Sequence, residues 1–328
     1  MIQTIVLPDL SETQRASHRL DVYRGDLENR IAPGNKFHKL RYHLKEAEKL
    51  GAIHIATFGG AYSNHLHAFS KTVVNAGFAP LIIVRGELQI GLTPTLRDCA
   101  DDGAVLFSTD RDDYRLGLES RVKNEVEQEY ANVYWIAEGG GGELGVLGCR
   151  DWADSISAFS AGSDGASVTR LGSSNNQPYD TWCVASGTGT TAVGLACSNA
   201  VKRLQVFNAL KGAEGIENTI EALTHDFIRT YDGISAQDVF SKMAFWHSRN
   251  CGRFGGLPDE IAEFLRALYV MNPELRLDPV YTGKLVYNIW RKIKENRWRF
   301  RSALIIHTGG LQGWRGVKRE RIPYPEFL

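Results

Sequence analysis

The sequence predicts an α/β chain, with parallel sheet covered by helices. Three observations predict it. Short β-type runs alternate with amphipathic helical patterns along most of the chain. Several of those runs empty into glycine and then into a serine or threonine that can begin a helix. The length, 328 residues of which 43% are hydrophobic and 33 are glycine, suits roughly two domains.

The elements follow in order. "LDVYRGDL" (20–27) reads as a first strand, and "GNKFHKLRYHL" (34–44) as the tight start of a helix. "IHIATF" (53–58) is a strand before the helical "SNHLHAFSKTVVNAGF" (63–78). "APLIIVRG" (79–86) precedes a helix in "GLTPTLRDCADDG" (91–103). "GAVLFS" (103–108) precedes one helix over "RLGLESRVKNEVEQEY" (115–130), and the strand "NVYWIAEG" (132–139) follows. The alternation resumes with "YDTWCVAS" (179–186), a helix from about Thr190, "KRLQVFNAL" (202–210) and "SALIIH" (302–307). Between them, "EGGGGELG" (138–145) reads as a hinge or a close backbone approach, and the polar 160–178 as an exposed loop. Residues 40–145 are expected to form a small α/β domain, and 1–39 with 146–328 a larger discontinuous one.

Lys+Arg and Asp+Glu are both 38, so no basic excess points to nucleic acid or an anionic membrane. No run approaches the roughly 20 apolar residues that cross a bilayer, and the N-terminus does not read as a signal peptide. Five scattered cysteines without a C-x-x-C pair suggest reduced thiols and a cytoplasmic location. His38, His43, His54, His65 and His67 do not suggest a metal site. His65 and His67, two apart on a helix, face different sides, and no H-E-x-x-H occurs.

Four stretches are site candidates. In "FGGAYSNHLHAFS" (58–70) a strand ends at Gly59-Gly60 and Ser63 falls at an N-cap. The helix start there suits an anion such as a substrate carboxylate; a capped helix without ligand is the plainer reading. In "VASGTGTTAVGLA" (184–196) a β-run empties into Gly187, Thr188, Gly189, Thr190 and Thr191, where amides and hydroxyls can cradle phosphate. The stretch also fits G-x-G-x-x-A, but a dinucleotide site wants an acid after the next strand, and that strand ends in Asn208-Ala209-Leu210. The absence favours a phosphomonoester over NAD. "LRLDPVYTGKLVYNIW" (275–290) sets Tyr281 and Thr282 at a helix start, and "IIHTGGLQG" (305–313) ends a buried strand at Thr308. A phosphate loop, a carboxylate-type helix start and Lys36 at a sharp turn together suggest pyridoxal phosphate, which needs a phosphate cradle, a lysine and a partner for its ring nitrogen.

In order, "LDVYRGDL", "GNKFHKLRYHL", "FGGAYSNHLH", "EGGGGELGVLG", "ASGTGTTAVGLA", "DPVYTGK" and "HTGGLQG" resemble the 1-aminocyclopropane-1-carboxylate deaminase / D-cysteine desulfhydrase family, within the fold-type-II, tryptophan synthase β-like group of pyridoxal phosphate enzymes. The resemblance spans nearly the whole chain. It implies two open twisted α/β domains with the cofactor in the cleft between them, the larger one binding it, and a homodimer. It implies Lys36 as the Schiff-base residue and Ser63, Asn64 and His65 as the substrate-carboxylate segment, with Asn64 also near the ring oxygen. Gly187 to Thr191 match the phosphate loop, Tyr281 the active-site tyrosine, and Thr282 or Thr308 the hydroxyl at the ring nitrogen. The implied chemistry is α,β-elimination on a small amino acid, giving a 2-oxo acid, ammonia and a leaving group such as sulfide.

Thr282 stands where the cyclopropane deaminases carry glutamate and His65 where they carry glutamine, both closer to the desulfhydrase branch. Gly25 replaces an acidic residue, and "CGRFGGLP" (251–258), with Phe254, lacks the tyrosine the family sets before its Leu-Pro. Cyclopropane deamination stays as the alternative substrate reading. An NAD-dependent oxidoreductase and a non-catalytic phosphate- or nucleotide-binding protein are the readings from other classes. The missing ribose acid disfavours the first, and the second gives Lys36 no task.

Overall fold

The computed structural model describes all residues except 87, 89, 90, 162–177, 210–214, 248–255 and 328. The chain runs β1 (Ile2–Thr4), α1 (Glu12–Ser17), β2 (Arg19–Tyr23), α2 (Asn35–Lys49), β3 (His54–Gly59), α3 (Asn64–Asn75), β4 (Ala79–Arg85), α4 (Pro94–Asp101), β5 (Val105–Thr109), α5 (Arg111–Arg115), α6 (Arg121–Glu129) and β6 (Val133–Ile136). It continues with α7 (Glu143–Ala161), β7 (Thr181–Ser186), α8 (Thr190–Cys197), β8 (Leu204–Asn208), α9 (Ile216–Thr230), α10 (Ala236–Ser241), β9 (Met243–His247), α11 (Asp259–Met271), α12 (Thr282–Lys294) and β10 (Ser302–Ile306).

Two sheets result. One has four strands in the order β5-β4-β3-β6, all parallel. The other has six in the order β1-β2-β10-β7-β8-β9, parallel except for the β1–β2 pair. The alternation of strand and helix in the sequence is therefore the observed α/β class. The first sheet draws all its strands from 54–136, and the second draws on both ends of the chain.

The strands are apolar on both faces because helices cover both. Along β10, Ala303 and Ile305 join a core that includes Leu265 and Leu285, of α11 and α12. Leu304 and Ile306, on the opposite face, join one that includes Trp152 and Val193, of α7 and α8. In β4, Ile82 and Val84 pack with Leu66 and Phe69 of α3, while Leu81 packs with Val126 of α6 on the other side.

One expected helix divides. The stretch 115–130 is not continuous: α5 ends at Arg115, a 3-10 turn covers Gly117–Glu119, and α6 starts at Arg121. Gly117 takes φ +51°, and the Ser120 hydroxyl accepts from the Lys123 N–H, so the turn and the new cap break the helical period. The expected loop at 160–178 falls almost wholly outside the described residues, as do Phe254 and Cys251. The other four cysteines are buried free thiols. Among the described residues, no helix is long and apolar enough to cross a membrane.

Candidate active site

A cavity of about 420 Å³ is lined from both sheets. The walls come from the start of α2, the β3–α3 turn, the end of β4, Glu138 and Gly139, the β7–α8 turn, Tyr281 and Thr308. Apart from Tyr281, which lies between α11 and α12, these follow the carboxyl ends of parallel strands, where open α/β sheets bind ligands.

Lys36 lies in the first turn of α2. Gly34 before it takes φ +81°, and a Cβ there would fall 2.2 Å from the Thr308 carbonyl oxygen. Only glycine fits, so the helix begins hard against the end of β10. The Asn35 N–H donates to that same carbonyl at 3.3 Å. The Lys36 Nζ donates to Asn35 Oδ1 at 3.0 Å. Burial, reinforced by the nearby Lys39 charge, pulls the Lys36 ammonium down from 10.5 to about 7. Lys39 is buried, is also pulled down by desolvation, and donates to the Gly139 carbonyl at 3.0 Å. The position of Lys36 withdraws an amine from water at the wall of a cavity.

Ser63 caps α3, its Oγ accepting from the His65 and Leu66 N–H groups at 3.2 and 3.4 Å. Its own O–H is left to donate. Asn64 Oδ1 accepts from Gln312 Nε2 at 2.9 Å, which turns the amide NH2 the other way. Gly310 makes room for that NH2, since a Cβ there would lie 2.3 Å from Asn64 Nδ2. His65 is buried, and desolvation with the Lys36 and Lys39 charges holds its ring neutral, well below the ordinary range. Thr57 Oγ1 spends its proton on the Ile136 carbonyl at 2.8 Å, so His65 Nε2, also 2.8 Å away, must donate to Thr57. The ring therefore has no second N–H for a carboxylate. What His65 can offer an anion is its place at a helix N-terminus.

The β7–α8 turn forms the loop 187–191. Gly189 takes φ +82° and N-caps α8, whose first residues are Thr190 and Thr191. Asn35 Nδ2 donates to Thr191 Oγ1 at 2.8 Å, tying this loop to α2. Thr188 Oγ1 lies 3.4 Å from Thr190 Oγ1. Ser186 Oγ is buried without a hydrogen-bond partner among the described residues.

Asp278 organises the last wall. Its carboxylate accepts from the N–H groups of Val280, Tyr281 and Thr282 at 3.0, 2.7 and 2.7 Å, and so caps α12. A Cβ on Gly187 would touch the Tyr281 ring and hydroxyl at 3.2 Å, so the phenol stands over the phosphate-type loop. Burial raises the Tyr281 pKa, with the Asp278 and Glu138 charges adding to it, so the phenol stays protonated. Thr282 is fully buried, and its Oγ1 has no partner among the described residues.

Of the residues expected from sequence, Lys36, Ser63, Asn64, His65, Gly187, Thr188, Gly189, Thr191, Tyr281 and Thr308 line one cavity. Thr190 and Thr282 stand just behind the wall instead. Sequence reasoning passed over Asn35, Lys39, Arg85, Glu138, Ser186 and Asp278. Lys39 carried a signal, because it stands three residues after Lys36, a spacing that shares one helix face.

Curated relatives match nearly the whole chain. The putative 1-aminocyclopropane-1-carboxylate deaminase of Pyrococcus furiosus is 27% identical over 314 residues, 94% of this chain and 88% of that one. The mitochondrial bifunctional D-cysteine desulfhydrase/1-aminocyclopropane-1-carboxylate deaminase of Arabidopsis thaliana is 24% identical, covering 89% of this chain and 72% of its own. The D-cysteine desulfhydrase of Yersinia pestis is 25% identical, covering 88% and 86%. The resemblance to this family holds along the chain. No family model matches. The solved structure of a 1-aminocyclopropane-1-carboxylate deaminase homologue superposes with a TM-score of 0.74 at 24% identity, over 95% of this chain and 90% of that one. A hydrogen sulfide-producing enzyme of Fusobacterium nucleatum gives 0.59 at 14% identity, over 94% and 92%. The fold is thus that of the deaminase homologue, as the family resemblance implied.

Proposed function

We propose that this chain is a pyridoxal phosphate-dependent lyase performing α,β-elimination on a small amino acid, in the manner of a D-cysteine desulfhydrase. The observation that carries the reading is Lys36: an amine with its pKa near 7, on the wall of a cavity, tethered through Asn35 to the Gly187–Thr191 loop.

The residues fit the cofactor. The start of α8 offers N–H groups and threonine hydroxyls for a phosphate, with the Lys39 side chain lining the same cavity. The unpartnered hydroxyl of Thr282 and the cavity-lining Thr308 suit a ring nitrogen. A hydroxyl donates one hydrogen bond but cannot hold that nitrogen protonated as a carboxylate would. When bound, pyridoxal phosphate supplies an electron sink for negative charge at the α-carbon.

The chain's own residues supply the rest. Ser63, through its free O–H and the helix start it caps, holds the substrate carboxylate. Asn64 presents the NH2 that Gln312 has oriented. Lys36 Nζ, neutral over much of the physiological range, takes the α-proton. Tyr281, kept protonated by burial, orients the substrate or delivers a proton at its hydroxyl. The products are a 2-oxo acid, ammonia and a leaving group such as sulfide. The names of the Pyrococcus relatives favour 1-aminocyclopropane-1-carboxylate as the second reading. A homodimer in the cytoplasm belongs to the same proposal.

The test is chemical. The purified protein is reduced with borohydride, digested, and the pyridoxyl label mapped by mass spectrometry. The label is expected on Lys36. A label on Lys39 or Lys284, or none, would overturn the assignment.

A further inference from the structure

The proposed chemistry does not use Arg85, although this residue lines the cavity at Lys36. It ends β4, and strand pairing sets Val84 beside Gly59, which brings Arg85 to the Gly59-Gly60 turn. A Cβ on Gly60 would lie 3.3 Å from Arg85 Nη2, so the guanidinium faces the turn leading to Ser63. The Tyr114 ring lies 5.7 Å from its Cζ. Among the described residues, no carboxylate lies within ion-pair distance of it.

Behind Arg85 a second cavity, about 600 Å³, shares Arg85 and Glu138 with the first and adds Arg111 and Arg115. Arg115 is paired with Asp112 at 2.6 Å. Glu138 is the single carboxylate among the described residues lining either cavity. The second cavity thus sets Arg85, Arg111 and Arg115 against one carboxylate, and Arg85 is the arginine it shares with the cavity at Lys36, an unpaired cation beyond what one α-carboxylate at Ser63 requires.

We infer that Arg85 is a specificity residue that receives a second anionic group, carried on the substrate's side chain at or beyond the β-carbon. The inference rests on the proposed function, and it names the substrate class: amino acids with an anionic side chain or leaving group. In elimination the Cα–H and Cβ–X bonds break and X departs with the bonding pair as an anion. The product hydrolyses to 2-oxo acid and ammonia without any redox partner. A guanidinium at X stabilises that departing charge.

The experiment compares isosteres on the holoenzyme. Binding of aspartate and of asparagine, each as both enantiomers, is measured by calorimetry in wild type, Arg85→Met and Arg85→Lys. Turnover is followed in parallel with O-phosphoserine and with β-chloroalanine. The wild type is expected to prefer the anionic member of each pair. In Arg85→Met that preference is expected to fall by roughly 10- to 100-fold, the scale of one charged hydrogen bond, and Arg85→Lys to restore part of it. Equal loss for anionic and neutral ligands would assign Arg85 to the α-carboxylate and overturn the inference. So would a wild type without anionic preference. A protein carrying no lysine-linked cofactor would instead defeat the proposed function, which the borohydride label reports separately.

Discussion

The side-chain amide of Asn35 donates to Thr191 Oγ1 at 2.8 Å while its carbonyl accepts from Lys36 Nζ at 3.0 Å. One buried residue thereby sets the distance between the amine and the phosphate-type loop. Both contacts depend on a single planar group, so removing it frees both ends. Asn35→Ala is expected to weaken pyridoxal phosphate binding by about 1–3 kcal/mol, as is Thr191→Ala. The double variant is expected to lose less than the sum, because the two side chains share a bond. Fluorescence titration of cofactor-free protein checks this, and strict additivity would mean that the bond contributes nothing to the site.

The pH dependence follows from Lys36. Its folded pKa lies near 7, against the ordinary 10.5. Between those values the folded chain keeps the amine neutral while the unfolded chain binds a proton, so stability rises with pH through this window. The contribution is complete above the ordinary value and is lost as pH falls through about 7. Denaturant midpoints of cofactor-free protein between pH 6.5 and 8.5 are expected to rise less in Lys36→Met than in wild type. The rate of reconstitution with pyridoxal phosphate should climb up to pH about 7 and then level, since only the neutral amine attacks an aldehyde. Parallel slopes for the two proteins would show that Lys36 is not withdrawn from water.

Gly34 carries a backbone prediction. Alanine there meets both a positive φ and a carbonyl oxygen 2.2 Å away, and that carbonyl, of Thr308, follows directly after the central strand β10. Neither neighbour is a flexible side chain that can step aside. Gly34→Ala is expected to cost about 2 kcal/mol or more and to lower borohydride labelling of Lys36 in the protein that still folds. Chemical denaturation and label yield check it. Gly51→Ala, at a positive φ with open space around it, serves as the comparison and should cost less.

How much of this was legible beforehand depends on the kind of signal. The strands and the helix starts were readable because hydrophobic runs and caps are local. Ser63 at a cap and Lys36 beside Gly34 could both be found within a few residues of sequence. The break at Gly117 was missed because apolar spacing continues across it, and only the backbone angle and the Ser120 cap end the helix. Asp278 was missed because its task is to bind three backbone N–H groups, which no spacing rule announces. Arg85 was invisible as a site residue, since its meaning comes from pairing between β3 and β4 that brings it to Gly60. His65 shows the limit from the other side. The resemblance implies His65 within the substrate-carboxylate segment, and only the structure shows that its single ring N–H goes to the Thr57 hydroxyl.

The choice of substrate is the last prediction. Thr282 at the start of α12 offers a hydroxyl where the cyclopropane deaminases carry a carboxylate, and a neutral ring nitrogen makes a weaker electron sink. A thiolate leaves the β-carbon readily once the α-proton is gone. An unactivated ring carbon needs an additional acid or nucleophile, and the protonated Tyr281 supplies one such group where ring opening calls for a second. D-Cysteine is therefore expected to yield sulfide and pyruvate faster than 1-aminocyclopropane-1-carboxylate yields 2-oxobutyrate, by roughly tenfold or more, a barrier difference of about 1.4 kcal/mol. Both substrates are assayed side by side, with Lys36→Ala as the blank. Faster 2-oxobutyrate formation would move the chain to the cyclopropane branch. Thr282→Glu gives the complementary reading: a carboxylate at that position should hold the ring nitrogen protonated and narrow the gap between the two substrates. A gap that does not move would remove Thr282 from the ring nitrogen and leave Thr308 as its partner.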